Sequence, residues 1–320
     1  MRAPVVQDHV AAGPLGRLTP WLERASASPA LLAVQVGLLG LMTLSVVTRT
    51  WQDHIWLGFA LVGVTVAAWS IEFGQSRDRL WWFAYVAGIF FYTLLRAFAD
   101  ETAIPIRSDY VIEADRALFL GIHPVESLQS AFFSTTHVGL ADYFAVAIHW
   151  SFFVAPHAMA VLIFLYRRPL FRPYTATVVG TMYLGLLLFF LLPTAPPWLA
   201  ASEGQLDGVY RVMDFVGGKV NQGTYESVYA SLGEPNSVAA MPSIHMGVTF
   251  AMYLWSRIHA PAWRWPLLAY TAVMGLALVY MAEHYVLDLA AGMACAFVAW
   301  WLSRPLARRA VALSHSPARE

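Results

Sequence analysis

The segment EHYVLDLAAGMACAFVAWWL, residues 283–302, decides how this chain is read. It sets a histidine at the mouth of an apolar run, and the run from Tyr285 to Leu302 approaches the ~20 residues that cross a bilayer. His284 and Asp288 stand four residues apart, so on a helix they share one face, with ~5–6 Å between Cβ atoms. A carboxylate placed there accepts the hydrogen bond of one ring nitrogen, fixes the tautomer and leaves the other nitrogen free. That is the arrangement of an oriented nucleophile or base. A second segment, Met241-Pro242-Ser243-Ile244-His245, opens another apolar helix in the same way. The free backbone N–H groups and the dipole at such an opening favour an anion. Two histidines, one aspartate and an anion nest point to phosphoryl transfer.

Apolar stretches of comparable length recur along the chain: Leu31 to Thr48, Ile55 to Phe73, Leu80 to Ala99, Phe144 to Tyr166, Thr175 to Leu192, Ile244 to Ile258, Trp265 to Ala282 and Tyr285 to Leu302. The expectation is an all-α, polytopic membrane bundle of about eight transmembrane helices. Composition agrees. Of 320 residues, 58% are hydrophobic and only 12% are charged, with mean hydropathy +0.55. A soluble domain carries about 25% charged residues, so this chain lacks the polar surface to coat itself in water.

Twenty basic and twenty acidic residues cancel, which gives no case for a nucleic-acid partner. The single cysteine, Cys295, excludes an intramolecular disulfide and a multi-cysteine metal site, and reads as a small core hydrophobe.

Arginine placement sets the expected orientation. Arg17 and Arg24, Arg77 and Arg79, Arg167, Arg168 and Arg172, Arg257 and Arg264, and Arg304, Arg308 and Arg309 all fall on one face of an eight-span bundle. The positive-inside rule makes that face cytoplasmic. His245 and His284 then share the extracytoplasmic side. The expected organisation is a cytoplasmic tail over residues 1–30, one membrane domain over 31–303, and a basic cytoplasmic tail over 304–320. The first thirty residues lack the compact apolar run and cleavage site of a signal peptide. Two longer outer segments remain. Asp100 to Asp142 holds helical runs near Ile112 to Phe119 and Val125 to Phe133, expected to lie in the interface with apolar faces toward lipid. Thr194 to Ala240, opening with Thr194-Ala195-Pro196-Pro197-Trp198, reads as a loop or lid over the site.

Each candidate has a plainer alternative. His284 and Asp288 could be a buried structural pair, although ionisable groups in a membrane helix default to function. Ser243 could simply cap its helix, with His245 facing a headgroup. His149 and His157, two turns apart in one span, read as satisfied core residues. In the catalytic reading, one imidazole oriented by Asp288 attacks phosphorus and forms a phosphohistidine. The other protonates the departing oxygen, while Ser243 and the N–H groups after Pro242 hold the non-bridging oxygens. A lipid-binding or transport protein, and a hydrolase with His245, His284 and Asp288 on zinc, are the rivals from other classes.

The "PSIH" and "HYVLD" segments resemble the second and third signature motifs of the type 2 phosphatidic acid phosphatase superfamily, and more closely its inositol phosphorylceramide synthase-like branch. Ala114-Asp115-Arg116-Ala117-Leu118-Phe119, the Ala195-Pro196-Pro197-Trp198 turn and Val238-Ala239-Ala240-Met241 also resemble that branch. The resemblance spans roughly Tyr92 to Gly292. It implies His284 as nucleophile, Asp288 as its orienting carboxylate, His245 as general acid and Ser243 as a phosphate ligand. It further implies a helical bundle without a metal cofactor, acting on lipid or isoprenoid phosphates, with water or an alcohol as acceptor. Two departures stand out. The phosphatases' lysine-to-arginine-proline first motif is absent, and Leu278 stands where their third motif has an arginine, six residues before the histidine. Candidate replacement clamps are Arg96 and Arg107, then Arg116, Arg211 and Lys219. Arg96, inside an apolar span, needs an anionic or carbonyl partner, which Asp100 could supply instead of substrate.

Overall fold

The computed structural model describes residues 29–47, 64, 76–96, 98–99, 103–220 and 239–314. Among them are twelve α-helices: α1 (Pro29–Val47), α2 (Ser76–Arg96), α3 (Asp109–Leu118), α4 (Pro124–Phe132), α5 (Leu140–Ser151), α6 (Ala155–Tyr166), α7 (Phe171–Leu191), α8 (Pro197–Ser202), α9 (Val212–Val220), α10 (Ile244–His259), α11 (Arg264–Tyr280) and α12 (Val286–Ser314). The described residues form no strand beyond two isolated parallel bridges, Arg107 with Thr194 and Thr194 with Ala239. The chain divides into two compact units, residues 1–83 and 84–320. In the first, α1 coincides with the first expected apolar stretch, whereas nearly all of Ile55 to Phe73 and of the N-terminal tail lies outside the described residues.

The second unit is built around α7, α10, α11 and α12. Helix α7 packs along α12, and α12 packs against α10. Small residues allow this. A Cβ placed on Gly292 would lie 2.1 Å from the carbonyl oxygen of Ser243, and one on Gly247 would lie 2.9 Å from the carbonyl oxygen of Gly292. Only glycine lets the backbones of α10 and α12 approach this closely, as between packed membrane helices generally.

The span count differs from the expectation. Among the described residues, three helical stretches are long and apolar enough to cross a bilayer: Arg168–Leu191, Pro261–Tyr280 and Val286–Arg308. The expected span Phe144 to Tyr166 is instead a bent pair, α5 and α6, meeting at 44° and giving a fourth. The break falls where Pro156 sits in the first turn of α6, the helix position proline tolerates. Helix α10 has 16 residues, about 24 Å at 1.5 Å per residue, short of the hydrocarbon core. Eight full spans are therefore not what the described residues show. Apolar composition marked the segments, but a helix whose first turn is set into the bundle to carry a site need not run the full thickness.

The two outer helical runs are present as α3 and α4. Their inner faces pack on the bundle rather than facing lipid: Val111, Ile112 and Val125 join a buried cluster with Met241, Met274, Leu278 and Tyr285. Leu118, Phe119, Leu120, Ile122 and Phe132 remain exposed at their ends. The last helix continues past Leu302, through Pro305 to Ser314, so the basic C-terminal stretch is helical at least to that point.

Candidate active site

The turn joining α11 to α12 presents His284. Helix α11 ends at Tyr280, and Ala282 takes a left-handed conformation (φ 63°) that folds the chain back. The amides of Glu283 and His284 both donate to the carbonyl of Leu278, at 3.0 and 3.3 Å. Leu278, the position lacking the expected arginine, is fully buried in the apolar cluster behind this turn. No clamp comes from there.

His284 Nδ1 lies 3.3 Å from Asp288 Oδ2, and the same oxygen accepts the amide of Tyr285 at 2.9 Å. Asp288 is wholly buried, and its Oδ1 has no hydrogen-bond partner among the described residues. The next two amides of α12 are taken by Asp115 of α3: Val286 N–H donates to Oδ2 at 2.8 Å and Leu287 N–H to Oδ1 at 3.0 Å. Burial pushes the Asp115 carboxyl up from its ordinary range, and these two donors draw it back.

His245 occupies the first turn of α10. Ser243 is the N-cap, its Oγ accepting the Met246 amide at 3.3 Å, while the Ser243 amide donates to the carbonyl of Asp288 at 2.9 Å. The serine is buried, its oxygen serves as a cap, and its own hydroxyl proton stays available as a donor. The glycine crossing and this backbone bond together place the His245 and His284 rings 5.8 Å apart, centroid to centroid.

A cleft of about 170 Å³ runs from His245 between α2, α6, α7 and α10, with Val178, Met182 and Val248 on its apolar wall. A smaller recess of about 60 Å³ is shared by His245, His284, Glu283, Arg96 and Trp198. Arg96 lines both and shares a hydrogen bond with Tyr92, one turn earlier; Asp100 lies outside the described residues. Glu283, next to His284, accepts a hydrogen bond from Arg211 Nε at 2.9 Å, and that guanidinium stacks on Trp198 at 4.6 Å. Trp198, the last residue of the Ala195-Pro196-Pro197-Trp198 turn, thus walls the recess. Its amide bonds the carbonyl of Ala282.

The remaining candidates fall elsewhere. Arg107 is exposed and paired with Asp109 at 2.6 Å, a contact that holds the Asp109 carboxyl below its usual range. Arg116 pairs with Glu126 at 3.6 Å, and Lys219 is exposed. Neither Arg107, Arg116 nor Lys219 lines the cleft. His157 is satisfied by the Tyr85 hydroxyl at 2.9 Å, as expected of a core residue, though it also lines the cleft. His149 does not behave that way. Its ring lies 4.6 Å from that of His245, its Nδ1 has no partner among the described residues, and it too faces the cleft. Its polar side chain in an apolar span was the available signal. Among the described residues, no group of three or more His, Cys, Asp or Glu side chains is arranged to hold a metal ion.

Comparison with known proteins gives one family match and three concordant relatives. The PAP2 superfamily matches residues 109–302, more than half of the chain. The chain is 26% identical over 189 residues to the inositol phosphorylceramide synthase catalytic subunit of Schizosaccharomyces pombe, covering 56% of this chain and 44% of that protein. It is 23% identical over 183 residues to the phosphoinositol dihydroceramide synthase of Bacteroides thetaiotaomicron, covering 53% and 57% respectively. The inositol phosphorylceramide synthase of Candida albicans is 27% identical over 150 residues, 45% of this chain and 31% of that one. The chain therefore spans about half or less of the length of the curated relatives it matches. No solved structure matches.

Proposed function

This chain belongs to the PAP2 superfamily, and on that premise we propose that it is a membrane enzyme that transfers or releases the phospho group of a lipid or isoprenoid phosphate through a phosphohistidine at His284. The observation that carries the reading is the convergence of His284, Asp288 and His245 from two crossing helices, with the two rings 5.8 Å apart at the head of an apolar cleft.

Asp288 faces Nδ1 of His284, so Nε2 is the attacking nitrogen. It forms a bond to phosphorus as the bond from phosphorus to the leaving oxygen breaks, and protonated His245 gives its proton to that oxygen. Neutral His245 then takes a proton from the acceptor, whose oxygen attacks phosphorus and frees His284. Nucleophile and acid each approach to ~3–3.5 Å of the atoms they act on, which the ring separation accommodates. Arg96 and the Ser243 hydroxyl hold the non-bridging oxygens, and Arg107 remains a candidate only for a headgroup reaching the surface. The apolar wall of the cleft suits a lipid chain.

The relatives' names are those of synthases of inositol phosphorylceramide and phosphoinositol dihydroceramide, and a synthase joins its parts, which favours transfer over release to water. The arginine distribution favours a site on the extracytoplasmic side, and the plasma membrane is the location proposed with it.

The test is phosphate release and headgroup exchange by purified protein on a panel of lipid phosphates and phosphodiesters, with chelator present. Wild type should turn over, His284→Ala and His245→Ala should each lose at least about 10³-fold in kcat, and Arg96→Leu should chiefly raise KM. Full activity in His284→Ala would reject the mechanism, and activity abolished by chelator would favour a metal site.

A further inference from the structure

Helix α12 starts without a cap of its own. The residue preceding it, Tyr285, has no side-chain oxygen able to reach back to the first turn, and its ring is buried edge-on against His123 at 5.9 Å. Yet the first amides of a helix must be satisfied when buried. Here the Tyr285 amide goes to Asp288, and those of Val286 and Leu287 go to the two oxygens of Asp115. That carboxylate is supplied across 171 and 172 residues of chain by a different helix, and it is completely buried. The two amides lie between His284 and Asp288 in sequence. Whatever holds them holds the geometry of the pair.

We propose that Asp115 is a positioning residue for the reaction: from α3 it clamps the amides of Val286 and Leu287, and so fixes the His284 ring and the Asp288 carboxylate in register with His245. The inference rests on the phosphohistidine reading for its consequence in catalysis. It also leaves the start of α12 with no free first-turn amide at Tyr285, Val286 or Leu287 for a substrate phosphate. Two protein carboxylates already fill it, so the phosphate draws its donors from Arg96 and the α10 side.

The experiment compares wild type with Asp115→Asn, Val286→Pro, the double variant, and Glu113→Gln on the exposed face of α3. Asparagine keeps the size but offers one acceptor oxygen in place of two. Proline deletes one clamped amide while leaving Asp115 intact, at a helix position that tolerates it. Three readouts are taken in detergent: kcat and KM, amide exchange across residues 284–290, and the nitrogen-15 imidazole signals of His284, assigned by their loss in His284→Ala.

Asp115→Asn should lower kcat about 10- to 100-fold with KM within about threefold. It should also deprotect the Leu287 and Val286 amides and shift His284 toward the tautomer mixture of a free imidazole. Val286→Pro should lower kcat in the same sense, and the double variant should be less than additive because both changes break one clamp. Glu113→Gln should match wild type. Wild-type kcat together with an unshifted His284 signal, in either Asp115→Asn or Val286→Pro, overturns the proposal. If Asp115→Asn fails to fold, Val286→Pro decides by the same two criteria. Wild type inert across the lipid panel would reject the phosphohistidine reading, and the His284 signals would then judge the clamp alone.

Discussion

Replacing Gly292 with alanine should separate activity from stability in this protein. The added Cβ would lie 2.1 Å from the Ser243 carbonyl oxygen, 3.0 Å from its carbon and 3.2 Å from the Gly247 nitrogen. All three are backbone atoms, so no rotamer change relieves the contact. A carbon-to-oxygen approach of ~3.3 Å requires the helices to part by about 1.2 Å at the crossing. His245 sits two residues beyond Ser243 on one helix, and Asp288 sits four residues before Gly292 on the other. The opening therefore acts directly on the distance between the His245 and His284 rings. A misplacement of ~1 Å costs about 10²-fold in rate. Stability should fall far less, because ~1–3 kcal/mol of overpacking is partly offset by ~1 kcal/mol of helix propensity gained over glycine. The assay is kcat on the best lipid substrate beside thermal unfolding in detergent, with Gly218→Ala, which meets open space, as the control. A Gly292→Ala enzyme with wild-type kcat would refute the claim that this crossing sets the site.

Two further predictions concern groups around the turn. His123 is buried with both ring nitrogens lacking partners among the described residues, and burial holds its pKa below the ordinary value; Glu126 and Arg116 are the charged groups that act on it. The unfolded chain takes up a proton near pH ~6.5 while the folded one resists, so this stability is present above that pH and is lost as pH falls through it. His123→Phe should therefore raise the unfolding temperature and flatten its fall between about pH 7 and about pH 5, and an unchanged slope would count against this. Arg211→Leu leaves Glu283 without its cation in a half-closed recess and should cost about 3 kcal/mol of stability, with Glu283→Gln restoring part of it in the double variant. Equal losses in single and double variants would show that the pair is not coupled.

Much of the site was legible because its signals are local. The spacing of His284 and Asp288 predicted their contact, and the structure has it, although His284 sits in the turn two residues before α12 rather than on the helix face. Pro242 and Ser243 announce a helix start, and α10 begins there. The runs near Ile112 and Val125 became α3 and α4 within a few residues. What sequence could not convey is long-range. Asp115 stood inside a recognisable stretch, yet its targets lie more than 170 residues away. His149 looked like a core residue because a histidine facing packed apolar atoms and one facing another histidine have the same sequence context. The described residues carry fewer full spans than hydropathy marked, because apolar composition reveals neither the 44° bend between α5 and α6 nor the shortness of α10.

The two helix starts that meet at this site have been given opposite characters, and the chemistry follows from the contrast. At α12 the first amides are consumed by Asp288 and Asp115, so that end presents carboxylates toward His284. Asp288 keeps the His284 tautomer fixed with Nε2 outward, and no donor there competes for substrate oxygens. At α10 the serine cap leaves a hydroxyl donor, and Arg96 stands across the recess. In the proposed reaction a phosphate entering between them meets the Arg96 cation on one flank and a lone-pair nitrogen of His284 on the other. Inside a bundle of low dielectric this separation acts more strongly than it would in water. Had both helix starts been left open, phosphate could settle over α12 with its oxygens toward the amides and its phosphorus away from His284. The carboxylate borrowed from α3 closes that alternative, and it ties the reacting geometry to a helix that lies outside the four-helix centre of the bundle.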